Sequence, residues 1–269
     1  MPLTKGVDRR LLTRLPVFSP VAVRLLLVLG DERSSYKEVA KLVALDPVLA
    51  GEVLRLANSG FYGRRFEVRS VLNAIALLGF GKITQIAVTA ALWRGLPRRT
   101  APFVKDWWRH SIAAALIARH SSDAPGTDFA YTAALLHGVG QLALFEDSRQ
   151  EYPKLVENAY TEGFDLLERE QEVFGVDHAA LAGLILQSWG LPEALCEAVA
   201  RHHDATTGTV LELAVQTGCA GAEYARFGRC GCHERLAESV PGPLAELLAS
   251  DYPLDMLATE VNQIECSLG

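Results

Sequence analysis

Cysteine is scarce in this 269-residue chain and absent from its first 195 residues. The five cysteines are Cys196, Cys219, Cys230, Cys232 and Cys266. Their odd number predicts free thiols rather than a disulfide framework, and a chain of this length needs no cross-links to bury a core. The stretch 230–233 lacks a second ligand pair at zinc-finger spacing, so we interpret it as a loop.

Long hydrophobic runs are also lacking. The first ten residues contain no apolar export signal, and the apolar stretch 21–29 is interrupted by Arg24 and too short to cross a bilayer. We therefore expect no membrane segment and a cytoplasmic location.

Alternating polar and apolar residues bounded by hairpin turns are absent, whereas apolar residues recur at helical spacing almost everywhere. This pattern predicts an all-α protein. Ser35 with Glu38, Asp46 with Pro47, and Ser70 are predicted helix starts. Later helices are predicted near 102–120, 128–137, 151–162, 165–174, 178–188, 192–202, 209–226, 243–250 and 254–266.

Two prolines and a local run of charge interrupt the helical periodicity at 96–102. This break predicts a helical bundle over 14–96 packed on a second helical unit over 102–207, followed by a C-terminal helical extension over 208–269.

Charge is distributed unevenly along the chain. Residues 1–100 hold 16 Lys and Arg against 7 Asp and Glu, whereas the remainder holds 10 against 25, and the total is −6. The basic half suggests a nucleic-acid-binding regulator, but its arginines are scattered among apolar residues and the whole chain is acidic. We expect charge attraction between the halves and solvated helix faces instead.

Six of the seven histidines fall between residues 110 and 203. Imidazoles on different helices can converge on a divalent metal, although hydrolytic sites usually add carboxylates. His137 is followed by Gly138, which has no side chain to bind a metal, and we predict a left-handed helix C-cap there. The candidate positions are His110, His137, His178 and His202, and the alternative is a buried cluster of histidines hydrogen-bonded to one another.

The residues around His137, Leu-Leu-His-Gly-Val-Gly-Gln, resemble the His-Asp-Ile-Gly-Lys motif of the HD phosphohydrolase superfamily. Gly138 stands where that motif has aspartate. The segments 107–111, 174–178 and 201–204 resemble the superfamily's other histidine positions, and its closing aspartate should fall near Cys219, where the segment 214–220 has none. The resemblance implies vestigial ligand positions without catalysis, and we expect neither a metal nor a cofactor.

The first half of the chain resembles the HDOD family, in which a helical bundle is coupled to an HD-like fold that has usually lost its catalytic ligands. The matching segments are 46–63, 74–79 and 191–193, and the resemblance covers about 14–207. It implies a bacterial regulatory module whose partners are signalling proteins, including receiver or cyclic-dinucleotide proteins. Asn58, Ser59 and Tyr62 are candidate partner contacts; the alternative is that Asn58 and Ser59 satisfy backbone groups at a helix end.

Three classes of function remain. The leading hypothesis is a non-catalytic signalling adaptor that binds a protein or a small signalling molecule. The second is a weakened metal-dependent phosphohydrolase, and the third is a nucleic-acid-binding regulator. The likeness of fold does not choose between them, so the choice depends on the site.

Overall fold

In a computed structural model the described residues are 8–15, 19–29, 34–58, 68–121, 129–204, 208–228 and 254–268. Helices make up all their regular structure, and this part of the chain contains no strand, which confirms the predicted all-α class. The helices are α1 (Arg9–Leu12), α2 (Pro20–Leu29), α3 (Tyr36–Ala44), α4 (Pro47–Ala57), α5 (Val71–Gly95), α6 (Pro102–His120), α7 (Ala130–Leu136), α8 (Val139–Asp147), α9 (Tyr152–Glu162), α10 (Leu166–Phe174), α11 (His178–Ser188), α12 (Glu193–Ala200), α13 (Val210–Tyr224) and α14 (Leu254–Leu268).

The chain divides into two compact units. The smaller one is Val17–Gly95 and contains α2 to α5. The larger one combines Met1–Pro16 with Leu96–Gly269, so that α1 belongs with α6 to α14. Helix α1 joins the larger unit because it packs on α8 and α11.

The helix starts of the smaller unit use the residues that the sequence indicates. The Ser35 hydroxyl accepts from the Glu38 amide, and the Asp46 carboxylate accepts from the amides of Val48 and Leu49. Ser70 caps α5 by accepting from the Asn73 amide. These side chains satisfy amides that lack a partner in the first helical turn.

Helix α5 is the one described helix that is long and apolar enough to span a membrane. Gly79 breaks it, with φ 76° and ψ 166°, into two shorter helices. Ala74, Ile75 and Ile83 on α5 are fully buried in the core of the smaller unit. These buried side chains make α5 part of the core of the smaller unit.

The larger unit is built around α6, which packs most extensively against α13 and α7. Gly218 on α13 faces the Ala114 carbonyl so closely that a β-carbon at 218 would overlap it. Helix α13 lies within the predicted C-terminal extension over 208–269 and packs on α6, so this part of the extension contributes to the core of the larger unit. The predicted helix 243–250 lies outside the described residues.

Residues 138–147 differ from the expectation. Gly138 does not adopt a left-handed conformation: its φ is −89° and its ψ is 7°, and it precedes α8, which the sequence analysis did not predict. Only a single turn separates α7 from α8, so the apolar pattern continues through 130–147 without a left-handed stop.

Candidate functional site

Five buried histidines lie in a row inside the larger unit. The row contains the four predicted candidates and a fifth residue that the sequence analysis did not single out: His110, His137, His202, His178 and His203. The ring centroids of His110 and His137 are 5.1 Å apart, and those of His137 and His202 are 4.9 Å apart. The row continues through His203, whose ring lies 4.0 Å from that of His202 and 4.9 Å from that of His178.

Helix ends place two of these rings. His137 directly follows α7, and its Nδ1 lies 2.5 Å from the Ala134 carbonyl oxygen. His202 follows α12, and its Nδ1 lies 2.7 Å from the Val199 carbonyl oxygen. Both contacts use carbonyls of the last helical turn, which have no partner within the helix.

The same contacts determine the tautomers. A carbonyl oxygen only accepts, so Nδ1 of His137 and of His202 carries the hydrogen, and Nε2 of each neutral ring carries a lone pair. His110 follows the same rule, because its Nδ1 lies 2.9 Å from the Phe227 carbonyl oxygen. Three histidines are thus held with unprotonated Nε2 atoms in the interior.

Cys219 reaches one end of the row from α13. Its sulfur and the nearest nitrogens of His110 and His137 all lie within 4.8 Å of one another, and all three residues are buried. The Nε2 atoms of the two histidines are 3.2 Å apart. The expected closing aspartate should fall near residue 219, but the Cys219 thiol was not among the predicted metal ligands.

Glu170 holds the other end of the row and was missed by the sequence analysis. One oxygen of this fully buried carboxylate accepts from the backbone amide and from Nδ1 of His178, at 2.7 and 2.8 Å. The other accepts from the Tyr152 hydroxyl at 2.5 Å. Nε2 of His178 therefore points away from the carboxylate and lies 3.0 Å from Nε2 of His203. Glu170 lies among charged residues of α10, so the sequence contained little sign of its burial.

Trp107 occupies the space where a side chain at position 138 would begin. Its Nε1 donates to the Gly138 carbonyl oxygen at 2.7 Å, and a β-carbon at 138 would overlap this indole nitrogen. Any residue larger than glycine at 138 would require the buried indole to move. Glycine is therefore needed here to make room for Trp107, rather than to adopt a left-handed conformation.

Burial keeps the central rings neutral. It lowers the pKa of His137 well below the ordinary histidine value, and His110 adds repulsion in the same direction. Burial also lowers the pKa of His202, with a further contribution from His203. Neutral imidazole is the form that binds a metal or accepts a hydrogen bond.

The candidate partner contacts lie in the smaller unit. The Asn58 side-chain amide donates to the carbonyls of Leu54 and Val68 and accepts from the Val68 amide. This side chain therefore closes the segment between α4 and residue 68, which is the alternative role that the sequence suggested. Ser59 and Tyr62 lie outside the described residues.

Comparison with known proteins shows the family of this chain. The family model of the HDOD domain matches residues 15–205. The chain belongs to the HDOD family. An uncharacterized protein of Treponema pallidum (strain Nichols) is 21% identical over 171 residues, which are 62% of this chain, and this HDOD chain spans about a third of the Treponema protein (33%).

Two solved structures have a similar fold. An HDOD domain protein of unknown function from Geobacter sulfurreducens has a TM-score of 0.66 at 24% identity, with 98% of this chain and 92% of that chain covered. A Marinobacter aquaeolei VT8 protein, provisionally named a signal transduction protein, has a TM-score of 0.69 at 21% identity, with 98% and 61% covered. At these identities the likeness establishes the fold alone.

The resemblance to HD phosphohydrolases implies a divalent metal. The donor atoms of this HDOD domain fit an ion that binds nitrogen and sulfur better than one that binds carboxylate oxygen. Position 138 offers no carboxylate, and Trp107 closes it, so the usual carboxylate-rich hydrolytic centre does not fit. Imidazole nitrogens and a thiol do remain, and His202 Nε2 is a buried atom without a hydrogen-bond partner. This donor set suits a soft or borderline ion such as Zn²⁺.

Proposed function

We propose that this HDOD protein is a non-catalytic signalling output module of the bacterial cytoplasm, which acts by binding a signalling protein or small signalling molecule. The observation that carries the proposal is the pair Trp107 and Gly138. Where the superfamily motif has an aspartate, this chain has a glycine covered by a buried indole.

Hydrolysis of a phosphoester needs a group that orients and deprotonates water. The Glu170 carboxylate contacts the row, but both its oxygens already accept hydrogen bonds from Tyr152 and His178. Glu170 orients the His178 ring through Nδ1, so its carboxylate has a structural role in the row. The carboxylate that the superfamily motif has beside its histidine is absent at Gly138, which supports binding rather than turnover.

The family supports a role in signalling. The Marinobacter protein of the same fold carries a provisional signal-transduction name, and HDOD resemblance implies regulation through binding. The partners implied by the resemblance are proteins with receiver or cyclic-dinucleotide domains.

Turnover assays test the absence of catalysis. Purified protein is incubated with Zn²⁺, Mn²⁺ or Mg²⁺ and with cyclic dinucleotides, nucleotides or a generic aryl phosphate, beside His137→Ala as the matched blank. We expect equal rates for the two proteins. Metal-dependent turnover that His137→Ala abolishes would establish the alternative, a weakened phosphohydrolase, which the buried histidine row favours.

Binding assays test the signalling role. Immobilised protein is used to capture partners from lysate of the native cell, and each candidate is then purified and titrated directly. We expect a receiver or cyclic-dinucleotide protein to bind stoichiometrically. If purified candidates of these classes and free cyclic dinucleotides all fail to bind, the adaptor role is wrong.

A further inference from the structure

We propose that His110, His137 and Cys219 form a zinc site in which Cys219 binds as a thiolate. This inference goes beyond the proposed function and does not depend on it, because the site is one for coordination rather than catalysis. It also reverses the expectation, drawn from the sequence, that the histidines hold no metal.

The first support is the spacing of the donor atoms. Two nitrogens bound to one tetrahedral zinc at the usual bond lengths are separated by about 3.3 Å. Nε2 of His110 and Nε2 of His137 are 3.2 Å apart, and the Cys219 sulfur lies within 4.8 Å of both rings' ligand nitrogens. The three donors therefore require little movement to meet at one ion.

The second support is the direction of the lone pairs. Backbone carbonyls fix the hydrogen of both rings on Nδ1, so the two Nε2 atoms that face each other at 3.2 Å are both acceptors. Neither neutral ring can donate to the other in this tautomer. A cation between the two lone pairs converts their repulsion into attraction. Ligand histidines in metal sites commonly donate their other nitrogen to a backbone carbonyl or carboxylate, as these two do.

A third, independent support is His202. Its Nδ1 is fixed by the Val199 carbonyl, and its buried Nε2 has no hydrogen-bond partner. An orphaned polar atom in a protein interior is destabilising, because it has lost its hydrogen bonds to water without gaining others. The ring lies beside His137, so the interior next to the three donors contains another unmatched lone pair.

The Cys219 thiol can supply the negative charge that a buried divalent ion needs when no aspartate binds it. On binding Zn²⁺, the Cys219 sulfur loses its proton to solvent and contributes one negative charge to the buried ion. Two imidazoles and a thiolate favour Zn²⁺ or Co²⁺ over Mg²⁺ or Mn²⁺, which prefer oxygen ligands. A cysteine at position 219 therefore favours Zn²⁺ or Co²⁺ over ions that prefer oxygen ligands.

Cobalt titration tests the proposal. Chelator-treated protein is titrated with Co²⁺, which reports sulfur ligation through a thiolate-to-cobalt charge-transfer band and tetrahedral geometry through intense visible bands. We expect both at one ion per chain, and their loss when Zn²⁺ is added. Cys219→Ser should abolish the charge-transfer band and weaken Zn²⁺ binding by at least about 100-fold, more than the loss of a supporting residue outside the ligand set.

The matched control is Cys196→Ser. Cys196 is buried on α12, and its thiol donates a hydrogen bond to the Leu191 carbonyl. It lies outside the proposed ligand set, so its replacement should leave the cobalt spectrum unchanged. If Cys219→Ser fails to fold, X-ray absorption of the zinc-loaded wild type gives the same information through a sulfur shell. Failure to bind one Zn²⁺ per chain, or binding without any sulfur ligand, would overturn the proposal.

Discussion

The indole Nε1 of Trp107 donates to the carbonyl oxygen of Gly138 and lies where a side chain at 138 would begin. The two residues are 31 positions apart, and each explains the other. The indole can reach this carbonyl only because residue 138 lacks a β-carbon. Gly138 is thus part of the packing of α6 against the turn between α7 and α8.

Gly138→Ala tests this relationship through stability. The added methyl group would overlap the buried indole, and we expect a loss of about 1–3 kcal/mol in the free energy of unfolding, measured by urea denaturation. Gly51→Ala is the matched control, because Gly51 is exposed within α4 with open space around it. This control should gain up to about 1 kcal/mol from helix propensity. An equal gain in Gly138→Ala would show that Trp107 does not close the position.

Asp46 has two roles in the smaller unit, and two substitutions separate them. Its carboxylate caps α4 and also forms a two-point ion pair with Arg94, at 3.0 and 2.8 Å. Asn is itself a good N-cap, so Asp46→Asn should lose mainly the ion pair, about 0.5–1 kcal/mol for a partly exposed pair. Asp46→Ala should lose the cap as well, about 1 kcal/mol more.

The ion pair also predicts a pH dependence. The Arg94 hydrogen bond holds the pKa of Asp46 below its ordinary value of 3.8. The unfolded chain therefore takes up the proton first as pH falls, and the stabilisation is present above pH 3.8 and lost as pH drops through the lower folded-state value. The stability difference between wild type and Asp46→Asn should shrink in that range. A difference that is constant from neutral to acidic pH would contradict the pairing.

Asn58 is expected to act on stability before it acts on any partner. Its side chain makes three hydrogen bonds to the backbone of Leu54 and Val68. Asn58→Ala removes the side-chain partner of the Val68 amide and carbonyl, whereas the Leu54 carbonyl keeps its bond from the residue 58 amide, and the change should cost about 1–3 kcal/mol, measured by thermal or urea unfolding. Asn73→Ala, an exposed position on α5, should change stability by less than about 0.5 kcal/mol. If Asn58→Ala is as stable as the control but loses a purified partner, Asn58 is a contact residue.

The sequence predicted those structural features that depend on residues close together in the chain. The caps at Ser35, Asp46 and Ser70 depend on a few adjacent residues, so the corresponding helix starts were predictable. The four candidate histidines lie in one row, as their likeness to HD motifs suggested.

The errors arose where packing between distant residues decides the outcome. Gly138 is required by an indole 31 residues away, and the burial of Glu170 depends on Tyr152 and His178, none of which helical periodicity reveals. The packing of α13 on α6 was also not predicted, because the close approach of Gly218 to α6 leaves no periodic pattern in the sequence. The tautomers of the histidines likewise depend on which carbonyls lie beside them.

The two carboxylate oxygens of Glu170 accept hydrogen bonds from different residues. The Tyr152 hydroxyl donates to one oxygen, and the backbone amide and Nδ1 of His178 donate to the other, all in a fully buried setting. Tyr152→Phe removes a single hydrogen bond to a charged acceptor and should cost about 1.5–3 kcal/mol in urea denaturation. Glu170→Gln should cost more, because an amide offers one accepting oxygen in place of two and leaves at least one buried donor without its partner. Glu172→Gln on the same helix is the matched control, since its pair with Arg169 is largely exposed and should contribute less than about 1 kcal/mol.

Nitrogen NMR of the imidazoles adds an independent measurement: Glu170→Gln should change the His178 signals, whereas Glu172→Gln should not. Unchanged His178 signals and a stability loss no larger than that of Glu172→Gln would show that Glu170 does not orient this ring.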